Sequence, residues 1–194
     1  MPRGEVDTLD KIDPKALLLD TQYRVAQLFA LATAIDLPLK IAPIATAYVK
    51  ALDEIATAAG ARLDLTSTVR AAATLAQAAE RLDTLPRPTD ARGSATMNAF
   101  LVRLTHSLNS TLYTKAGRFD QDPAATVPLL PLLARARELP QLTPDSDAYG
   151  FLETELLRGR NAVETTLRES AQQIVHFLGA RTNATAGSAS GRRE

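Results

Sequence analysis

Few side chains in this sequence are suited to chemistry. There is no cysteine, so disulfides, thiolate catalysis, iron–sulfur clusters and Cys-type zinc sites are excluded. The histidines are His106 and His176. On a helical bundle such a pair suggests either a metal site or a phosphorelay histidine. Neither has a second His or a carboxylate three or four residues away, the spacing that sets two ligands on one helix face. The run Ser107-Leu108-Asn109-Ser110 after His106 lacks the basic residue and glycine expected beside a phosphorelay histidine. Asp7, Asp10 and Asp13 lack the glycine turn and distal Glu of a calcium loop and read better as helix-entry acids. No phosphate-cradling glycine loop or Ser/His/Asp order is visible, so residue chemistry assembles no active site. The best recognition candidates are Arg118, Phe119, Asp120 and Asp122, a mixed patch in a Pro-rich segment. The competing reading is a loop pinned to its own bundle by an Arg–Asp pair and a buried Phe.

The composition says what must position such a patch. Leu and Ala supply 29 and 34 of the 194 residues, and both favour helix. β-Branched and aromatic residues are sparse, which predicts an all-α protein: a helical bundle of four to five main helices with a long Pro-rich irregular segment. The 22 basic residues balance the 22 acidic ones, against a nucleic-acid partner. Arg outnumbers Lys 17 to 5, which with the alanine content hints at a bacterial, GC-rich genome. No apolar run reaches the roughly 20 residues that span a bilayer, and Met1 to Glu5 is polar with no apolar signal core behind it. No export or anchoring signal is therefore expected in this chain, and the compartment stays undetermined.

Along the chain, Asp13-Pro14 predicts a capped helix start, with a helix running to about Leu37. Its apolar residues (Leu17, Leu18, Leu19, Tyr23, Val25, Leu28, Phe29, Leu31) lie on more than one side, which predicts a central helix buried on two faces. A second helix is expected from Pro43 to a left-handed cap at Gly60, and a third, capped by Thr66, to about Leu82. After the Pro86/Pro88 break, a fourth should run from about Ser94 to Leu112. Next comes the segment Tyr113 to Ser146, with five prolines and one expected short helix near Leu130 to Glu138. The last helix should start after an Asp145–Asp147 capping cluster and run to about Leu178, with Arg158, Arg160, Glu164, Arg168 and Glu169 on a solvated face. A close contact is expected at Gly159, and disorder from residue 180 onward.

Asp7-Thr8-Leu9-Asp10-Lys11-Ile12-Asp13-Pro14 resembles the end of the catalytic domain in zinc aminopeptidases of the glutamate-carboxypeptidase type. The chain beyond Pro14 resembles their C-terminal, transferrin-receptor-like dimerisation domain. The shared features are Leu112-Tyr113-Thr114, the run Arg118 to Pro123, the stretch Pro128 to Leu132 and a final long amphipathic helix, over about residues 7–180. The resemblance implies a remnant of a peptidase domain at 1–12, a helical dimerisation-type domain at 13–179 and a tail at 180–194. It implies a loop from Tyr113 to Pro131, with Tyr113, Arg118, Phe119, Asp120 and Asp122, approaching a peptidase cleft or partner. It also implies a zinc ligand at position 3, where Arg3 stands, and a permanently protonated guanidinium cannot bind zinc.

The expectation is thus a dimerisation or interaction domain, not an enzyme on its own. It would hold no metal or cofactor, zinc belonging to the catalytic domain that this chain does not contain. Its partners would be a second copy through helical faces and, in a full-length parent, that peptidase domain, with no nucleic acid or membrane. The chain would be either a fragment of such a peptidase or a separately encoded module. The alternative is a stand-alone bacterial helical-bundle sensor or phosphorelay-type domain centred on His106 or His176.

Overall fold

The computed structural model describes residues 13–114 and 127–190, with side chains described through Arg181. Five α-helices are present: α1 Pro14–Thr33, α2 Ala42–Ala59, α3 Thr66–Asp83, α4 Ala91–Leu112 and α5 Asp147–Ser190. Two 3-10 segments, Gly60–Arg62 and Ala134–Gln141, complete the described elements, which include no strand. The chain is all-α, as its composition predicts. It divides into two compact units, one of residues up to Pro38 with Pro88–Asn98, the other of Leu39–Arg87 with everything from Ala99 onward.

In the first unit α1 starts as predicted: the Asp13 carboxylate accepts the Lys15 N–H at 2.9 Å and Pro14 opens the first turn. It ends at Thr33, four residues early, because Ala34 is already extended. The Asn98 side chain offers the backbone beyond α1 other partners. Its Oδ1 accepts from Leu37 N–H at 3.0 Å and its Nδ2 donates to Ile35 O at 2.7 Å. Pro38 also disfavours helix at Leu37. The expectation of a helix buried on two faces is overturned, for α1 has no buried residue.

The second unit holds a conventional core. α3 packs against α2 and α5, and the segment Ala134–Gln141 packs against both α2 and α5. Leu52, Leu75, Leu101, Leu104, Leu108, Leu112, Leu156 and Leu167 are essentially inaccessible to water. Phe100 on α4 stacks on Phe177 of α5, with ring centroids 4.1 Å apart. Tyr48 on α2 is buried, and its hydroxyl bonds the Leu108 carbonyl and lies 2.6 Å from Thr111 Oγ1 on α4. Burial holds that phenol well above its ordinary pKa.

Helix ends in this unit draw on side chains the sequence did not reveal. The residue before α2, Ile41, has no capping group, and Asp83 from the end of α3 replaces it. Its carboxylate accepts the N–H of Ile41 at 3.0 Å and of Ala42 at 2.9 Å. Gly60 stands just past α2 with the positive φ expected of a glycine cap, +56°, but its ψ of −140° lies outside the left-handed helical region predicted for it. Thr66 does not cap α3; Asp64 does, accepting the Thr66 N–H at 2.9 Å, and the Thr66 hydroxyl first and this N–H second hold the Asp64 carboxyl below its usual range. Ser146 caps α5 through Tyr149 N–H. α5 is helical to Ser190, beyond the expected end near Leu178, and Ala180, Ala184, Ala186 and Ala189 favour that continuation.

Candidate functional site

Of the predicted recognition residues, Tyr113 is described: it is half-exposed and directly follows α4. Arg118, Phe119, Asp120 and Asp122 lie outside the described residues, as do Asp7 and Asp10. The two flanks of their segment are well defined. Leu130 N–H donates to Leu112 O at 2.9 Å, so the chain leaving α4 and the chain returning from the Pro-rich segment meet at one hydrogen bond.

That meeting point is built to stay put. Leu130 is fully buried and has φ +53°, a left-handed conformation that costs a leucine roughly 1–3 kcal/mol. Leu133 N–H closes a turn onto Leu130 O at 2.8 Å, and Leu133 and Leu139 are fully buried beside it. The expected short helix at Leu130–Glu138 is therefore displaced to the 3-10 segment Ala134–Gln141: a left-handed residue cannot begin an α-helix, and Pro140 has no N–H to extend one. Gly159 of α5 faces the same turn. A Cβ there would stand 2.6 Å from the Leu132 carbonyl oxygen, which confirms the close contact expected at this glycine. Arg135 then ties the segment outward, to Glu138 and Glu155 at 2.9 Å each.

Beside this base lies a shallow cavity of about 310 Å³ between α2 and the returning chain. Lys50, Glu54 and Ile55 line it from α2, and Pro128, Leu129 and Arg137 from the other side. It has both charge signs and an apolar floor, but no set of groups arranged for acid–base or nucleophilic work.

The predicted solvated face of α5 needs one correction. Glu164 is largely covered, its side chain 18% exposed. It accepts from Ser67 Oγ at 2.6 Å and Thr68 Oγ1 at 3.2 Å, both in the first turn of α3, and from Arg168 at 2.7 Å. The Ser67 hydroxyl first, then Arg168 and Thr68, hold its carboxyl below the usual range. Arg160 reaches the Asp64 carbonyl. Nothing in the spacing of α5 announces this, because the hydroxyls it meets are about a hundred residues away. His106 and His176 are exposed on α4 and α5. Among the described residues no group of three or more His, Asp or Glu could hold a metal ion.

The second surface of note is α1. Leu17, Leu18, Leu19, Tyr23, Val25, Leu28, Phe29 and Leu31 are between 44% and 70% exposed, and Ile35 beyond the helix is 76% exposed. Isolated exposed leucines are ordinary, whereas a continuous apolar helix surface is unusual in a folded chain. It is not a membrane span: among the described residues no helix is long and apolar enough to cross a bilayer.

These features define an all-α protein whose described residues include one packed bundle and one helix without a buried side chain. Compared with models of protein families, with curated proteins and with solved structures, the chain matches none.

Proposed function

We propose that this chain is an interaction module: a helical domain that associates with itself and with a peptidase catalytic domain and has no catalytic centre of its own. The observation that carries the reading is α1, twenty residues of helix whose large apolar side chains are all substantially exposed. Leaving so much apolar surface in water is unfavourable by about 25 cal/mol per Å², and a partner removes that cost. The order of motifs resembling the dimerisation domain of a zinc-dependent exopeptidase names the kind of partner. The hydrogen bonds of Leu130 to Leu112 and of Leu133 to Leu130, which fix the chain on either side of the resembling segment, support the reading.

The test is sedimentation velocity of the purified chain, alone over a wide concentration range and mixed with the catalytic domain of a glutamate-carboxypeptidase-type aminopeptidase. The expected result is a concentration-dependent dimer, a complex with the catalytic domain, or both, with no release of amino acids from peptides by the chain alone. A folded chain that stays monomeric and binds no such domain overturns the reading.

A further inference from the structure

We infer that α1 is the self-association helix, and that its partner is the same helix of a second copy, packed through the face made by Leu17, Leu18, Val25, Leu28 and Phe29. The inference rests on the interaction-module reading and makes it specific.

The argument begins with spacing. Residues 18, 21, 25, 28 and 32 alternate steps of three and four, which sets Leu18, Thr21, Val25, Leu28 and Ala32 in one row. That row is the seam of two helices lying side by side. Leu17 and Phe29 flank it on opposite edges and widen it, and no charged residue falls on it. Asp20, Arg24 and Lys15 sit to the sides, where a helix pair keeps its polar rim; Asp20 and Arg24 are already paired along the helix at 3.6 Å. The opposite face is different in kind. Ala16, Leu19, Tyr23, Ala26 and Ala30 follow the same spacing, but three of the five are alanine, which offers little apolar surface.

Area supports a second copy as the occupant. The five large side chains of the proposed face are 53–70% exposed. At on the order of 150–200 Å² for a large side chain, they present roughly 500 Å² per copy, or about 1,000 Å² for a pair. That total is about the minimum for a specific interface. A two-fold pair needs only one patch that complements itself, and an uncharged apolar row does so.

The experiment uses the full chain. Sedimentation equilibrium is run on the wild type, on the double variant Val25→Glu/Leu28→Glu and on Leu19→Glu from the opposite face, with each variant's fold checked by circular dichroism and thermal melting. The expected result is a wild-type dimer, a dissociation constant weakened by about a hundredfold or more in the double variant, and little change in Leu19→Glu. No α1 residue is among the buried side chains, so an unchanged melting transition separates lost pairing from lost folding. A double variant that still dimerises overturns the assignment of α1 while leaving the module reading standing. Equal loss in Leu19→Glu overturns the choice of face. A monomeric wild type that binds the peptidase catalytic domain overturns the second copy as occupant. A monomer that binds nothing overturns both.

Discussion

α1 and α5 are both long helices rich in leucine and alanine, and they meet opposite fates. α5 buries Leu152, Leu156, Val163, Leu167, Ala171 and Ile174 as a single stripe against its neighbours. α1 buries nothing, although large apolar residues are denser along it. The difference lies in arrangement. The apolar residues of α5 recur at helical spacing with charged residues opposite, so one neighbouring surface suffices. Those of α1 occupy two sides, including three consecutive leucines at 17–19, so packing against one neighbour would still leave apolar surface in water. Large apolar residues therefore form core in one helix and exposed surface in the other.

A pair of truncations separates the two roles most sharply. Leu104, fully buried on α4 in the packed unit, should lose about 2–5 kcal/mol of stability as Leu104→Ala, through lost transfer energy and the cavity left behind. Leu28, 67% exposed on α1, should change the melting transition of the dilute chain by no more than about 0.5 kcal/mol as Leu28→Ala. Thermal melts followed by circular dichroism at low protein concentration measure both. Comparable losses would mean that α1 belongs to the folding core.

Gly159→Ala tests the tightest contact α5 makes. Alanine is the better helix former by about 1 kcal/mol, so on an open helix surface the change would stabilise. Here its Cβ would stand 2.6 Å from the Leu132 carbonyl oxygen, a backbone atom that moves only with its turn. The clash should win, with a net loss of about 1–3 kcal/mol in a denaturant titration. A neutral or stabilising result would mean that the turn at Leu130 to Leu133 yields easily and gives the segment before it no fixed base.

How far the sequence reveals this molecule depends on the same division. The helices of the packed unit are legible because their periodicity and punctuation agree: Gly60 ends α2, the Pro86/Pro88 break precedes α4, and the Gly159 contact is visible as a glycine in a helix interior. The exposure of α1 is not, because apolar content states only that a helix needs covering, and the sequence does not say by what. The caps at Asp83 and Asp64 and the role of Glu164 are also missed. Asp83 and Glu164 depend on which helix lies beside them, and no local pattern carries that, whereas Asp64 acts two residues along its own chain, on the Thr66 N–H. The left-handed Leu130 is hidden too, since leucine is a residue from which that conformation is not expected. Of the predicted site, Tyr113 and the base of its segment can be placed, while the Arg118–Asp122 patch lies outside the described residues.

The smallest expected effect concerns two ion pairs of identical spacing. On α1, Asp20 and Arg24 face each other at 3.6 Å with side chains 64% and 71% exposed, a geometry worth little in water. On α5, Glu164 and Arg168 meet at 2.7 Å, and the carboxylate also accepts two hydroxyl bonds from the first turn of α3, where the helix dipole favours negative charge. These contacts hold the folded-state pKa of Glu164 below its unfolded value. Its charge therefore stabilises the fold fully above the unfolded carboxylate pKa, near 4.3, and that contribution is lost as the pH falls through the folded value. Glu164→Gln should cost about 1 kcal/mol at neutral pH, and the difference from wild type should shrink as the solution is acidified below about pH 4. Asp20→Asn should change stability at neutral pH by no more than about 0.5 kcal/mol. Urea melts at a series of pH values decide it: a Glu164→Gln deficit that persists at low pH would mean that the hydroxyl bonds matter without the charge.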